Sequence, residues 1–322
     1  QPPPPHSLNK NTEISMKGAI IDLGSNTFQL YMFTYEHDKL VDLGRRAIAC
    51  RIGEGSFKQK MLTNEAMERG ILALREFKSI CENEGIYPNE IRAIGTSALR
   101  EAFNQADFCR LVKEETDITI EIIDGMKEAE YIYTGVSSYV KVASPSLIVD
   151  IGGGSVEFII ANQDKVLWQR SFEIGGLRLM DMFMKNDPLP PTMIPRIQDY
   201  LRTELLALAN ACHQYAPTVL IGSAGSFESL VDIRNQLKKE ETQKDLLSIA
   251  SFQEIYFDLL QKGLEERLIV PGMIPGRAKM IVVACVLIDY LISTFQLQEI
   301  LLSKHSLKEG VCMEEISLKR GQ

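Results

Sequence analysis

The chain has 322 residues, of which 45% are hydrophobic, and a mean hydropathy of −0.05. That is core enough for two domains on the soft prior of roughly 150 residues each. A net charge of −8 and a pI near 5.3 argue against a general nucleic-acid or membrane-surface binder, so any cations that meet an anionic ligand must be local.

Residues 1–15, QPPPPHSLNKNTEIS, are Pro-rich and polar, lack the apolar segment of a signal peptide, and read as a disordered tail ahead of Met16. Residues 18–34 read as two strands joined by a Gly-Ser-Asn turn, with a third strand near 40–52. Thr63 caps a helix running to about Glu84, in which Met67, Ile71, Leu74 and Cys81 recur at helical spacing. IRAIG (91–95) is a buried strand. TSALREAFN follows it, then a helix over about 105–115 and an alternating strand, ITIEIID (118–124). KEAEYIYTGVSSYV (127–140) is helical, with its acids in the first turn, where the helix dipole favours them.

The plan then restarts. SLIVD (146–150), VEFII (156–160) and KVLWQRSFEI (165–174) form a strand meander, 192–213 one amphipathic helix, and TVLIG (218–222) a buried strand ending in SAGS. KKEETQKD (238–245) reads as a solvated loop. Helices over about 251–267 and 279–295, the strand EILLS and the helix LKEGVCMEEISLK complete the chain. Met280–Phe295 is apolar but only 16 residues long and contains Asp289, so it reads as a core helix and not a membrane span. Six scattered cysteines without a CxxC fit structural thiols in a reducing cytosol, and the expected location is cytoplasmic.

One pattern occurs twice. GAIIDLGSNTFQLYM (18–32) and LIVDIGGGSVEFII (147–160) each place an Asp at the end of an apolar strand, then a small-residue turn, then a second strand. An ionised carboxylate there is costly unless solvated, paired or metal-bound. The turns, Gly24-Ser25-Asn26 and Gly152-Gly153-Gly154-Ser155, allow backbone N–H groups to converge on an anion. Two copies predict a phosphate chain clamped between two α/β lobes that face each other across a cleft, with Asp22 and Asp150 holding Mg²⁺ largely through water. Neither turn is a Rossmann or Walker loop, because a strand follows and no GxGxxG or GK[ST] occurs. A third turn, IGSAGSFESL (221–230), leads into a helix whose N-terminus suits another anion.

IIDLGSNTFQL and IVDIGGGSVEF resemble the two phosphate loops of the actin, sugar-kinase and heat-shock-ATPase superfamily. Within it, CRIGEG (50–55), GTSALREAFN (95–104), IIDGMKEAEYIYTGV (122–136), PGRAKM (275–280) and, more weakly, SLKEGV (306–311) resemble the exopolyphosphatase / guanosine pentaphosphate phosphohydrolase family. The resemblance implies an α/β fold of two ribonuclease-H-like lobes, the actin-like ATPase fold. Residues 16–133 plus 305–322 would form lobe I and 134–304 lobe II. It further implies removal of a terminal phosphate from linear polyphosphate or guanosine pentaphosphate, dependent on Mg²⁺ with Mn²⁺ as a substitute. Glu128 would activate water, Glu157 would sit near the metal or the water, and Arg100 would grip phosphate. Metal would be held by Asp150 and Glu157, with Asp22 in the outer shell, and phosphate by the two turns, Arg100, Arg51 and Arg277.

Two substitutions depart from the family pattern. Lys127 stands beside the base, placed to lower its pKa or hold phosphate, and Lys308 replaces an Arg, losing bidentate geometry. The sequence stops where longer members continue into helical domains, which favours short polyphosphate or a nucleotide. Arg45–Arg46 reads as a solvated face. The expected partner is a polyanionic phosphate substrate, with no nucleic acid and no membrane, and with room for a homodimer. The competing readings are a kinase or ATPase of the same superfamily, with a nucleoside at the third turn, and a non-catalytic sensor of polyphosphate or alarmone.

Overall fold

The structure is a computed structural model that describes residues 15–142, 144–238 and 244–320. The proposed tail up to residue 14 and residues 239–243 of the charged loop lie outside the described residues.

The first sheet begins as an antiparallel meander, β1 (Met16–Leu23), β2 (Phe28–Glu36) and β3 (Lys39–Ile48). Helix α1 (Asn64–Asn83) follows, its first turn closed by the Thr63 hydroxyl accepting the Ala66 N–H at 3.1 Å. Then come β4 (Ile91–Gly95), helices α2 (Ser97–Glu101) and α3 (Gln105–Thr116), and β5 (Ile120–Ile122). Strand β4 runs parallel to β1 and β5 parallel to β4, giving the order β3-β2-β1-β4-β5. Helix α4 (Gly125–Tyr139), capped by the Asp124 carboxylate on the Lys127 N–H, leaves this sheet.

The second sheet repeats the plan. β6 (Ser146–Ile151), β7 (Val156–Ala161) and β8 (Val166–Phe172) form the meander; helices α5 (Gly176–Phe183), α6 (Met193–Glu204) and α7 (Leu206–Tyr215) precede β9 (Val219–Ser223). Helix α8 (Gly225–Lys238), β10 (Leu246–Ser248), α9 (Ile249–Gln261), α10 (Leu264–Leu268), α11 (Ile281–Phe295), β11 (Glu299–Leu302) and α12 (Leu307–Arg320) complete the described chain. Read from its meander edge the order is β8-β7-β6-β9-β11, with β10 added antiparallel to β11. Both sheets therefore carry the mixed 3-2-1-4-5 order of a ribonuclease-H lobe, as the sequence resemblance implied.

The two halves meet on α4 and α12. One buried cluster joins Ile20 and Ile94 of the first sheet, Ile148, Ile159 and Ile221 of the second, and Ile132, Val136, Val311 and Cys312 of the two helices. These helices touch through backbone. A Cβ on Gly135 would collide with the Ser306 carbonyl, and one on Gly310 with that of Tyr131. Helix α11 is buried on nearly every side, which explains its unbroken apolar sequence. Among the described residues no helix is long and apolar enough to cross a membrane, and all six cysteines are free thiols.

Several elements differ from expectation. The single helix foreseen over 192–213 is two, broken at Leu205, and that over 251–267 is broken at Lys262–Gly263. Apolar periodicity carries through the first break because Leu201, Leu205 and Leu208 all stay buried. Helix α5 and the short strand β10 gave no signal of their own, being too brief for a period to show.

Candidate active site

The two turns occupy equivalent places. Leu23 pairs with Phe28 across residues 24–27, and Ile151 with Val156 across residues 152–155. They also face each other: a Cβ on Gly153 would stand 3.2 Å from the Ser25 Cβ and 3.3 Å from the Asn26 nitrogen. A Cβ on Gly154 would collide with the Ser97 hydroxyl and reach Ser25 Oγ at 2.8 Å. Both turns line one cavity of about 320 Å³, together with Asp22, Asp150, Glu128 and Arg277.

What turns the amides outward is anchoring of the carbonyls. In the first turn the Ser25 and Asn26 carbonyls accept the N–H groups of Gly53 and Arg51, each at 2.8 Å, from the CRIGEG segment. In the second, the carbonyls of Gly152, Gly153 and Gly154 accept N–H groups at the start of α5: Gly176 at 2.9 Å, Leu177 at 2.9 Å and Gly175 at 3.0 Å. The carbonyl and the following N–H of a trans peptide point opposite ways. Pinning the carbonyls therefore turns the N–H groups of Asn26, Thr27, Gly153, Gly154 and Ser155 the other way, and none of these has an acceptor among the described residues. Free amides in consecutive array are an anion nest.

The acids sit close enough to disturb one another. Asp22 makes no hydrogen bond among the described residues; burial and the nearby Asp150 push its carboxyl up to about 6, against the pull of Lys308 and Arg277. Asp150 accepts the Ser223 hydroxyl at 2.7 Å and that of Ser306, both on Oδ2. Glu128, on the first turn of α4, is 7% exposed. Burial drives its carboxyl up to about 8; Arg100 opposes this, while Asp22 and Asp150 add to it. Glu157 pairs in register with Asp150, accepts the Ser171 hydroxyl at 2.6 Å, and is held well above the carboxylate range by burial, Glu128 and Asp150.

Among the described residues, Arg277 is the cavity-lining cation without a hydrogen-bond or ion-pair partner. It is 8% exposed, lines the cavity, and makes no side-chain hydrogen bond or ion pair among the described residues. Burial drives its guanidinium below the ordinary arginine range, against the through-space pull of Glu228, Asp150 and Asp22. Leaving a charge this enclosed unpaired is costly unless an anion completes the site.

Not every expected residue reaches the cavity. Arg100 stands behind it, donating to Glu128 at 2.9 Å and to Glu173 at 3.2 Å. Glu157 lies behind Glu128, outside the lining. The Arg51 side chain lines a neighbouring hollow with Glu54 and Lys279, and only its backbone serves the first turn. Lys127 turns away: its ammonium bonds Glu314 at 2.9 Å and lies 4.4 Å from the Tyr131 ring centre, outside the cavity lining. Arg45 and Arg46 are exposed, as a solvated face would be, and they also border the cavity, because β3 is the edge strand that forms its rim. The third turn contributes Ala224, Gly225 and Glu228, and Lys308 reaches in while donating to Gln29 at 2.8 Å. Ser223, in the third turn, and Ser306, which opens SLKEGV, lie in stretches the sequence singles out, but sequence reading gives neither a role; their hydroxyls both donate to Asp150, a contact that only the fold creates.

A model of the Ppx/GppA phosphatase family matches residues 33–319. The chain belongs to the Ppx/GppA phosphatase family. An exopolyphosphatase from Cytophaga hutchinsonii is 36% identical to it, with a TM-score of 0.90 over 94% of this chain and 98% of that one. The Aquifex aeolicus member of the Ppx/GppA family is 24% identical, with a TM-score of 0.77 over 95% of this chain and 99% of that one, and shares the fold. Membership in the Ppx/GppA phosphatases makes the cavity between the two turns the candidate site of phosphate hydrolysis.

The donor set also bears on metal. Among the described residues no three His, Cys, Asp or Glu side chains converge as a cage. Of the four carboxylates that border the cavity, Asp22 and Asp150 lie at the two turns, and Asp22 makes no hydrogen bond among the described residues. That fits Mg²⁺, which takes one or two carboxylates and completes its shell with water and substrate oxygens.

Proposed function

We propose that this Ppx/GppA phosphatase is a Mg²⁺-dependent exopolyphosphatase that removes the terminal phosphate of linear polyphosphate. The observation that carries the reading is Arg277, an enclosed guanidinium with no counter-ion at hydrogen-bonding distance among the described residues, in a cavity also lined by two rows of amides that find no acceptor among them. Such donors suit the equatorial oxygens of a phosphoryl group.

Water attacks the terminal phosphorus as the bond to the bridging oxygen breaks, and that oxygen leaves as the new end of the chain. Glu128 takes the water's proton, and its raised pKa suits a base working near neutrality. Asp150 and, through water, Asp22 would hold Mg²⁺, which when bound supplies charge neutralisation to the phosphate oxygens. Arg100 orients Glu128, and the turns and Arg277 hold the phosphates.

Polyphosphate is favoured over guanosine pentaphosphate. No aromatic side chain lines the cavity among the described residues, so a base would lack a stacking platform. At the third turn the Arg277 guanidinium packs against Gly225, where the kinase reading would seat a nucleoside.

The test is phosphate release from tripolyphosphate, long-chain polyphosphate and guanosine pentaphosphate, side by side, with Mg²⁺ and after chelation. The expected result is release from polyphosphate without a second substrate, abolished by chelation and slower with the pentaphosphate. Release that requires an acceptor would point to the kinase. Tight binding with no release at any Mg²⁺ concentration would replace the hydrolase with a sensor.

A further inference from the structure

The mechanism gives no role to Arg178, a largely enclosed cation beside the second turn. Arg178, near the start of α5, donates from Nε to the Gly154 carbonyl at 2.7 Å, the same carbonyl that accepts the Gly175 N–H. Its terminal nitrogen Nη2 donates to Glu173 at 3.0 Å and to Glu101. The guanidinium carbon lies 4.1 Å from the Phe57 ring centre. Phe57 follows the CRIGEG segment and fills the space beside Gly53 and Gly154.

These contacts cross from one half of the molecule to the other. Gly154 and Glu173 belong to the half built on the second sheet, and Phe57 and Glu101 to the half built on the first. Glu173 passes the connection on, accepting Ser97 Oγ at 2.9 Å and Arg100 at 3.2 Å, while Arg100 holds Glu128 at 2.9 Å. A planar guanidinium can address a carbonyl, two carboxylates and a ring face at once, and an ammonium cannot.

We propose that Arg178 is a positioning residue for phosphoryl transfer: it fixes the peptide between Gly154 and Ser155 as a phosphate donor and locks the second turn in register with the first half of the molecule. The Gly154 carbonyl held by two donors cannot swing, so the Ser155 N–H stays turned away from α5. Through Glu173 the same residue sets where Arg100, and hence Glu128, stands. The inference rests on the phosphohydrolase reading.

The test uses Arg178→Lys and Arg178→Ala in the full chain, with kcat and KM for tripolyphosphate measured alongside calorimetric binding of tripolyphosphate. Loss of a transition-state donor costs about 10²–10³ in kcat, so loosening one should cost roughly 10–100-fold in both variants, with a smaller change in KM. Tripolyphosphate binding should weaken in parallel with the change in KM. Added guanidinium should restore part of the kcat of Arg178→Ala and none of that of Arg178→Lys, a rescue that a purely structural role would not show. Should Arg178→Ala fail to fold, Arg178→Lys carries the test. Wild-type kcat and tripolyphosphate affinity in Arg178→Lys, or a loss fully explained by a smaller folded fraction, would overturn the proposal. If the unmodified protein releases no phosphate but binds tripolyphosphate, the hydrolase reading fails, and weakened binding in Arg178→Lys still supports a positioning role.

Discussion

Arg100 and Glu128 form an ion pair at 2.9 Å, bringing the helix of the TSALR stretch against the first turn of α4. The pair is nearly enclosed, and Arg100 is shared with Glu173. The proposed base is therefore held in place by a cation that is itself anchored, and its rotamer is set before any substrate enters.

Glu128→Gln keeps the shape and removes the proton acceptor. The expected outcome is a fall in kcat of about 10²–10⁴-fold with KM nearly unchanged, because the change acts on the transition state and not on binding. Steady-state phosphate release checks it; turnover at the wild-type rate would remove Glu128 from the role.

The pH profile follows from the same residue. Burial raises the Glu128 carboxyl to about 8, and only its ionised form can accept a proton. Activity should climb with pH through that region and fall on acidification. Arg100 is the cation that pulls the carboxyl down, so Arg100→Met should move the rising limb to higher pH as well as lower kcat. A limb that stays where it was would contradict this.

Asp22 gives a stability prediction of opposite sign to its effect on rate. Its carboxyl is raised by burial from 3.8 to about 6, so the folded state holds the proton more tightly than the unfolded chain. The resulting penalty is absent below pH 3.8 and fully present above about 6. Asp22→Asn should therefore raise Tm at pH 7–8, at roughly 2–4 °C per kcal/mol relieved, and not at pH 4, while lowering activity. Calorimetric melts at the two pH values decide it.

Gly310→Ala tests the contact between the two central helices. The added methyl would collide with the Tyr131 carbonyl, and backbone cannot yield as a side chain would. A loss of about 1–3 kcal/mol or more is expected, read by denaturant unfolding. Because Tyr131 lies on the same helix as Glu128, kcat should fall even in the fraction that stays folded.

The sequence by itself determined the repeated plan, the two strand-turn-strand units with their Asp residues, the buried strands and α11, because each of these is written in a window of a few residues as periodicity or turn chemistry. It also pointed to Glu128, Arg100 and Arg277 through resemblance. Tertiary structure decided what those residues touch. Arg277 faces the cavity with no partner among the described residues, Arg51 lines a neighbouring hollow instead, and Lys127 is spent on Glu314. The turns become donors only because the CRIGEG segment and α5 take their carbonyls, and Arg178 reaches from one half of the chain to the other. Periodicity is a local property of the chain, whereas the satisfaction of a carbonyl or a charge depends on which distant segment folding brings beside it.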